Sequence, residues 1–399
     1  VSFASGQPVI WPFPADWGKP VRETLAWLTD AMVAPTSGIG PKRQLRTAPR
    51  RSFAFDVIGD KRDRRVIDNL RFDRGAQPWQ LPIWHDGQVL AEAVAMDGEF
   101  IPCRTTGFDF VAGGQAVLWS AVDVWELVTI NAVEAEGLAL ADGLQAAWSA
   151  GARLWPVRRA FLPDASEESA WHDDASRIPL QFRVDEPCDW PAVMPAATYR
   201  DLPLLDIRPD MDGTVASRYG RDLQLVDEET GTIATFDLPG LPQRSQAHAW
   251  KLFGREEHSA FRSLAYGLRG RMGELWVPSW NADLKVVSTI GAASTSLTVE
   301  WCGYSLYGRQ QLGRRDIRIE VAGGGVYCRR ITNSVTAGAT EVLTLNAALG
   351  VEVPAAAIRA VSFMALSQQA SDQVEIDHVT DADGLGLCSM RWEAVRADL

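Results

Sequence analysis

The sequence predicts a mainly β protein formed by tandem duplication, in which each half contains β-barrel or β-sandwich units and one short α-helix. Three observations carry this expectation. Short runs that alternate apolar and polar residues recur along the 399 residues. A helical spacing of apolar residues occurs in each half, and the order of features is the same in both. The length itself exceeds one typical domain.

Near the start, Val21, Leu25 and Leu28 suit a helix after Pro20, whereas Leu25, Trp27 and Thr29 suit a strand. The matching segment Leu223-Gln224-Leu225-Val226 alternates, so a strand is assigned. Residues 53–89 then parallel residues 248–286. Each opens on an alternating aromatic strand, Phe53-Ala54-Phe55-Asp56-Val57 against His248-Ala249-Trp250-Lys251-Leu252, and reaches a glycine, Gly59 or Gly254. A helical pattern follows. Val66, Ile67 and Leu70 carry it in the first copy behind Asp60 or Asp63, and Phe261, Leu264 and Leu268 carry it in the second behind Glu256 and Glu257. Arg74-Gly75 and Arg269-Gly270 are the expected stops, with glycine taking the left-handed cap. Pro82-Ile83-Trp84 and Pro278-Ser279-Trp280 come next.

Downstream, Val124-Trp125 through Asn131 and Val133 matches Val326-Tyr327 through Asn333 and Val335. Leu138, Leu140 and Leu144 match Leu343, Leu345 and Leu349, and Phe161 matches Phe363. Ile317, Ile319 and Val321 alternate, and Gly323-Gly324-Gly325 turns the chain into Val326-Tyr327-Cys328 as a hairpin. Strands are also expected at Leu297 to Trp301, Leu343 to Leu345, Val374 to Ile376 and Cys388 to Trp392. The boundary between halves is placed in the proline-rich stretch 187–203, giving residues 1–195 and 196–399, each with two small barrels or sandwiches.

Charge and motifs exclude several classes. With 39 basic and 51 acidic side chains the net charge is −12, which opposes a nucleic-acid groove. No apolar run is long enough to span a bilayer. Residues 1–11 lack the pattern of a signal peptide, and an initiator Met is the expected missing residue. The five cysteines, Cys103, Cys188, Cys302, Cys328 and Cys388, form no CxxC pair and are expected as reduced, buried thiols. An iron–sulfur cluster on Cys302, Cys328 and Cys388 would need Cys103 or Cys188 as a fourth ligand and is not expected.

No catalytic constellation emerges. His85-Asp86 reads as a turn, its counterpart being Asn281-Ala282. His172-Asp173-Asp174 reads as an acidic loop. Asp210-Met211-Asp212-Gly213 begins like a calcium loop, but Arg221 stands where the closing carboxylate belongs. Nucleophile elbow, phosphate loop and zinc-helix motifs do not occur. Catalytic, cofactor and metal residues are therefore all expected to be none.

Sixteen tryptophans run from Trp11 to Trp392. Trp17-Gly18, Pro20-Val21 and Glu23-Thr24-Leu25-Ala26-Trp27-Leu28-Thr29-Asp30, with the basic stretch 43–51 leading into Ser52-Phe53, resemble the N-terminal region of tail-tip proteins of long-tailed bacteriophages. Residues 270–284, from Gly270-Arg271-Met272-Gly273-Glu274 to Asn281-Ala282-Asp283-Leu284, and the closing pattern Val361-Ser362-Phe363 with Ala370-Ser371-Asp372-Gln373-Val374-Glu375-Ile376, are similar to the same group. The resemblance implies a distal-tail or baseplate-hub protein, a non-enzymatic virion component whose barrels form a ring. Its implied partners are copies of itself, the tail tube protein, and other hub and fibre proteins, with no membrane and no specific nucleic acid. It implies synthesis in the host cytoplasm and residence at the tail tip. Two related halves per chain favour a trimer over a hexamer, and Trp27, Trp84, Trp276 and Trp280 are the interface candidates. A carbohydrate-binding or glycan-processing module of a phage tip is the alternative, because aromatic β surfaces stack on sugars.

Overall fold

The computed structural model describes residues 9–32, 40–74, 77–163, 168–211, 216–221, 223–237, 240–309, 311–380 and 384–395. The protein is mainly β, with large antiparallel sheets and one multi-turn α-helix in each half: α1 (Lys61–Arg74) and α2 (Gly254–Leu268). Each helix directly follows an eleven-residue strand, Arg50–Asp60 or Gln243–Phe253. Both strands bury alternate side chains. Phe53, Phe55 and Val57 face inward in one, and His248, Trp250 and Leu252 in the other, as the period of two requires.

The same order of strand pairings occurs twice. Arg50–Asp60 pairs with Ala175–Val184, and Gln243–Phe253 pairs with Leu385–Ala394. Trp79–Pro82 pairs with Arg153–Phe161, placing Pro82 opposite Val157; Glu274–Pro278 pairs with Ile358–Gln369, placing Pro278 opposite Met364. Gln115–Ala121 lies between Arg153–Phe161 and Val124–Glu134, just as Asp316–Val321 lies between Ile358–Gln369 and Val326–Ala337. The hairpin through Gly323 to Gly325 forms where expected. In the outer layers Gly137–Leu140 joins Val124–Glu134 to Phe100–Pro102, and Thr340–Leu345 joins Val326–Ala337 to Ser296–Glu300.

Two matching cores lie in each half, and a smaller cluster of Tyr199, Leu204, Trp276, Met364 and Leu366 lies in the second. In the first, Trp11, Trp79, Phe53, Phe182 and Ile67 fill one, and Leu90, Ile101, Leu118, Leu138 and Leu154 fill the other. In the second, Trp250, Phe261, Leu264, Leu275 and Trp392 fill one, and Leu297, Ile317, Leu343, Val361 and Phe363 fill the other. Trp11 packs edge-on against Phe13, Trp79 and Phe182, so part of the tryptophan content is core mass.

Two expectations are corrected. The left-handed cap of α2 begins at Arg269 itself (φ 52°), ahead of Gly270 (φ 68°), and the Arg269 N–H donates to the Ala265 carbonyl. Gly75 lies outside the described residues. Leu223–Val226 is not the counterpart of the first strand, because it pairs with Ala234–Asp237 in an exposed hairpin. That role falls to Ser217–Gly220, which pairs with Gln243–Phe253 just as Val21–Ala26 pairs with Arg50–Asp60.

The strand Val21–Ala26 joins the halves. One edge bonds to residues 50–54 of its own half, and the other bonds to Gln373–His378 of the second half. Its inward side chains pass from core to core: Val21 belongs to the first, and Leu25 with the following Trp27 to the second. Residues near the start of the chain thus complete the packing of the C-terminal half, and the boundary at 195 is no gap in packing. Trp27 is 3% exposed and meets Tyr266 edge-on at 5.6 Å. Trp27→Ala is expected to cost about 3–5 kcal/mol in urea unfolding by leaving a cavity between segments distant in sequence; a cost below about 1 kcal/mol would contradict this packing.

Candidate functional site

Between Val21 and Leu25 on the inward face of the joining strand stands Glu23, 1% exposed. Arg51 occupies the inward position ahead of Phe53 on the neighbouring strand and donates from Nε to Glu23 Oε1 at 2.5 Å and from Nη1 to Asp109. A buried guanidinium survives here because two carboxylates and the Phe53 ring, 4.6 Å away, replace its hydration. Asp109 is also held by Arg158, with Nη2 at 2.7 Å from Oδ1 and Nε at 3.2 Å from Oδ2, and its backbone N–H donates to Asp86 Oδ2 at 2.8 Å.

The second half closes this cluster. Helix α2 brings Arg255, which bonds Asp86, and Arg262, whose Nη2 is 3.6 Å from Asp109 Oδ1. Arg262 also stacks on Trp190 at 4.0 Å, and Trp190 donates to Ser263 Oγ at 3.1 Å. From the end of Gln373–His378, His378 Nε2 lies 3.0 Å from Glu23 Oε2 and its ring stacks on His85 at 3.6 Å and 6°. His258 lies 5.4 Å from His378 and hydrogen-bonds the Leu252 carbonyl at 3.1 Å. The result is a buried polar seam joining the halves.

Electrostatics fix its protonation. Burial opposes ionising Glu23, but Arg51, Arg262 and the His378 hydrogen bond outweigh it and hold the carboxyl well below its usual range. Asp109 is likewise lowered, its burial overcome by Arg51, Arg262 and Arg158. Burial, then the neighbouring His378, pushes His85 well below 6.5; burial also lowers His378, and His258 falls to about 4. At neutral pH the seam therefore contains ionised acids, arginines and neutral histidines.

Glu23, His85 and His378 place potential metal donors within 4.8 Å of one another, alone in this among the described residues. Their arrangement does not suit an imidazole-bound cation. Nitrogen lone pairs lie in the ring plane, so an ion reaching both stacked rings would sit far out of at least one plane. Arg51 and Arg255 already supply positive charge there. The void among these residues is about 10 Å³, room for about one water and not for a substrate. This geometry makes the seam a fastening between halves.

The other candidate residues are dispersed. Trp27, Trp84, Trp276 and Trp280, the interface candidates, are 3%, 3%, 4% and 4% exposed, so each is packed within the single chain and offers little surface to another. Trp84 packs on Trp155, Trp276 on Tyr199, and Trp280 under Arg318. Trp27 alone of the four serves a junction, between the two halves. His85-Asp86 is a short 3-10 turn as expected, and Asp86 makes its bond to the other half, whereas Asn281 and Ala282 are exposed. Of the cysteines, Cys188 and Cys388 are buried, Cys103 and Cys328 half-buried and Cys302 exposed, so uniform burial is corrected. Cys103, Cys188, Cys328 and Cys388 belong to four separate packing clusters. His172 and Asp173 are exposed, and Arg221 pairs with Asp237; Asp212 and Gly213 lie outside the described residues.

Sequence reasoning missed Glu23, Arg51, Asp109, Arg255, His258, Arg262 and His378. A signal was available for three of them. Glu23 interrupts Val21 and Leu25, Arg51 precedes Phe53 and Phe55, and His378 follows Val374 and Ile376, each a polar residue on the apolar register of a strand. No protein-family model matches the chain, and no curated protein matches it.

Proposed function

We propose that the chain is a tandem duplication serving as a non-enzymatic structural subunit of a phage tail tip, forming a ring that joins the tail tube to the baseplate or fibres. The observation that carries this reading is the strand Val21–Ala26, hydrogen-bonded along both edges, which fastens one β-rich half to the next. A head-to-tail contact between like units is thus built into one chain, and repeating such a contact between chains generates a closed ring. Three chains would supply six units to a sixfold tube. The tail-tip assignment itself rests on the sequence resemblance.

Immunogold labelling of purified virions with an antibody to the chain is expected to mark the tail end distal to the head. Particles that lack the chain altogether would refute the assignment. Binding to a glycan array, with loss of binding on substituting exposed Trp171 or Trp301, would instead favour the carbohydrate reading.

A further inference from the structure

A cavity of about 330 Å³ lies in the second half, and none of its lining residues belongs to the seam. Pockets for small organic ligands run from about 300 to 1,000 Å³, so the space is large enough for one. One wall is apolar: Trp276 and Leu366, opposite each other on paired strands, both border it. The remainder is cationic. Among the described residues, five arginines and a single carboxylate, Asp316, line the cavity. In a chain of net charge −12 this is a local reversal of sign.

Two of these arginines are neutralised within the chain. Arg221 pairs with Asp237, and Arg330 grips Asp316 with Nε and Nη2, each at 2.9 Å. Tyr199 donates to the same Asp316 carboxylate at 2.8 Å, so that acid is committed. Arg314 and Arg244 form no ion pair among the described residues. Arg314 donates from Nη2 to the Tyr219 hydroxyl at 3.1 Å and lies over the Phe363 ring at 4.8 Å.

Arg244 is the more exacting case. It is 8% exposed, yet its Nε and Nη1 have no hydrogen-bond partner among the described residues. Asp283 is near enough to act on its charge, but that carboxylate already accepts from Ser279 Oγ and from the Phe363 N–H at 2.8 Å. Burial, with the like charge of Arg314 added, holds the guanidinium below its usual value. Arg51, buried on the matching strand, has Glu23 and Asp109 instead. A buried guanidinium without a counter-charge costs stability, and the missing component is an anion.

The Tyr219 ring centroid lies 5.9 Å from the Arg244 guanidinium and 5.7 Å from that of Arg314, which gathers two unneutralised cations around one ring. A guanidinium presents its N–H groups in a planar fork that matches carboxylate and phosphate oxygens. We propose that the cavity binds a small organic oxyanion, a carboxylate or a phosphate ester, whose charged group neutralises Arg244 and Arg314 and whose apolar body lies against Trp276 and Leu366. A bare ion would leave the apolar wall unfilled. The depth of Arg244 favours a small ligand over an acidic side chain of another protein. This binding does not depend on ring formation.

Calorimetric titration of the full chain with phenyl phosphate and with benzoate tests it, benzyl alcohol serving as the uncharged ring. The expected result is saturable binding of at least one anion and none of the alcohol, and the tighter anion identifies the charged group. Arg244→Met is expected to weaken that binding at least about tenfold. Its melting temperature should stay unchanged or rise, because an unpaired buried charge is removed. Arg314→Gln, at a half-buried position, is the second arm, with an expected loss of at least about fivefold. The proposal is overturned if neither anion saturates by about 10 mM, or if benzyl alcohol binds as well as the anions. Unchanged affinity in Arg244→Met overturns it also, as does unchanged affinity in Arg314→Gln should the first variant not fold. Binding of a hexaglutamate peptide but of neither small anion would replace it with a contact to another protein.

Discussion

Asp109→Ala is expected to lower stability by about 3–5 kcal/mol, read as the shift in the urea midpoint multiplied by the slope. The carboxylate is 2% exposed and meets Arg51, Arg158 and Arg262. Removing it leaves Arg51 with Glu23, Arg158 with the partly exposed Glu186, and Arg262 with the more distant Glu23 and its stacking on Trp190. The energetic weight lies in the stranded positive charge, because taking ions from water is repaid only while the opposite charge remains in place. Asp109→Asn should cost nearly as much, since it keeps the shape and loses the charge. A cost under about 1 kcal/mol for both would mean that water reaches the seam and that the halves are not fastened there.

The second large effect is a loss of stability on mild acidification. His85, His248, His258 and His378 are all buried, and burial depresses each below 6.5, to about 4 for His248 and His258. Between those values the unfolded chain binds protons that the folded chain refuses, so stability is full above about pH 6.5 and falls as pH drops toward 4. For His248 and His258 the linkage amounts to roughly 3 kcal/mol each across that window. Glu23 acts later, because its folded value is well below 4.5 and its contribution disappears only as pH falls through that lower range. Denaturant midpoints at pH 7.5 and 5 should therefore differ, and His258→Gln should reduce the difference. Equal midpoints would show that these imidazoles are solvated in the folded state.

The legible part of the fold is local. Alternation marked the strands around Phe53, His248, Ile317 and Cys388, and helical spacing at Phe261, Leu264 and Leu268 marked α2, whose three side chains are all buried. Glycine turns marked the hairpin after Val321. The segment at Val21 was ambiguous by period alone, and comparison with the second half resolved it toward a strand, although the segment used for comparison pairs elsewhere. The candidate site was much less legible. Polar side chains inside a strand look like solvent-facing ones unless their register is followed, and helix positions such as Arg255 and Arg262 look like an ordinary charged face. The tryptophans misled because a large aromatic reads alike in a core and at an interface, and only its neighbours tell them apart.

By itself, the sequence determined that the chain is mainly β, with one helix after a long strand in each half and apolar periods that fill separate cores. These follow from side-chain spacing within about ten residues, where geometry has only two periods to choose between. Only the tertiary structure decided that Glu23 meets His378 across 355 positions, that Arg255 finds Asp86, and that Nε and Nη1 of Arg244 have no hydrogen-bond partner among the described residues. Such partners are set by which strand edges meet and which faces close, and no local pattern encodes those choices.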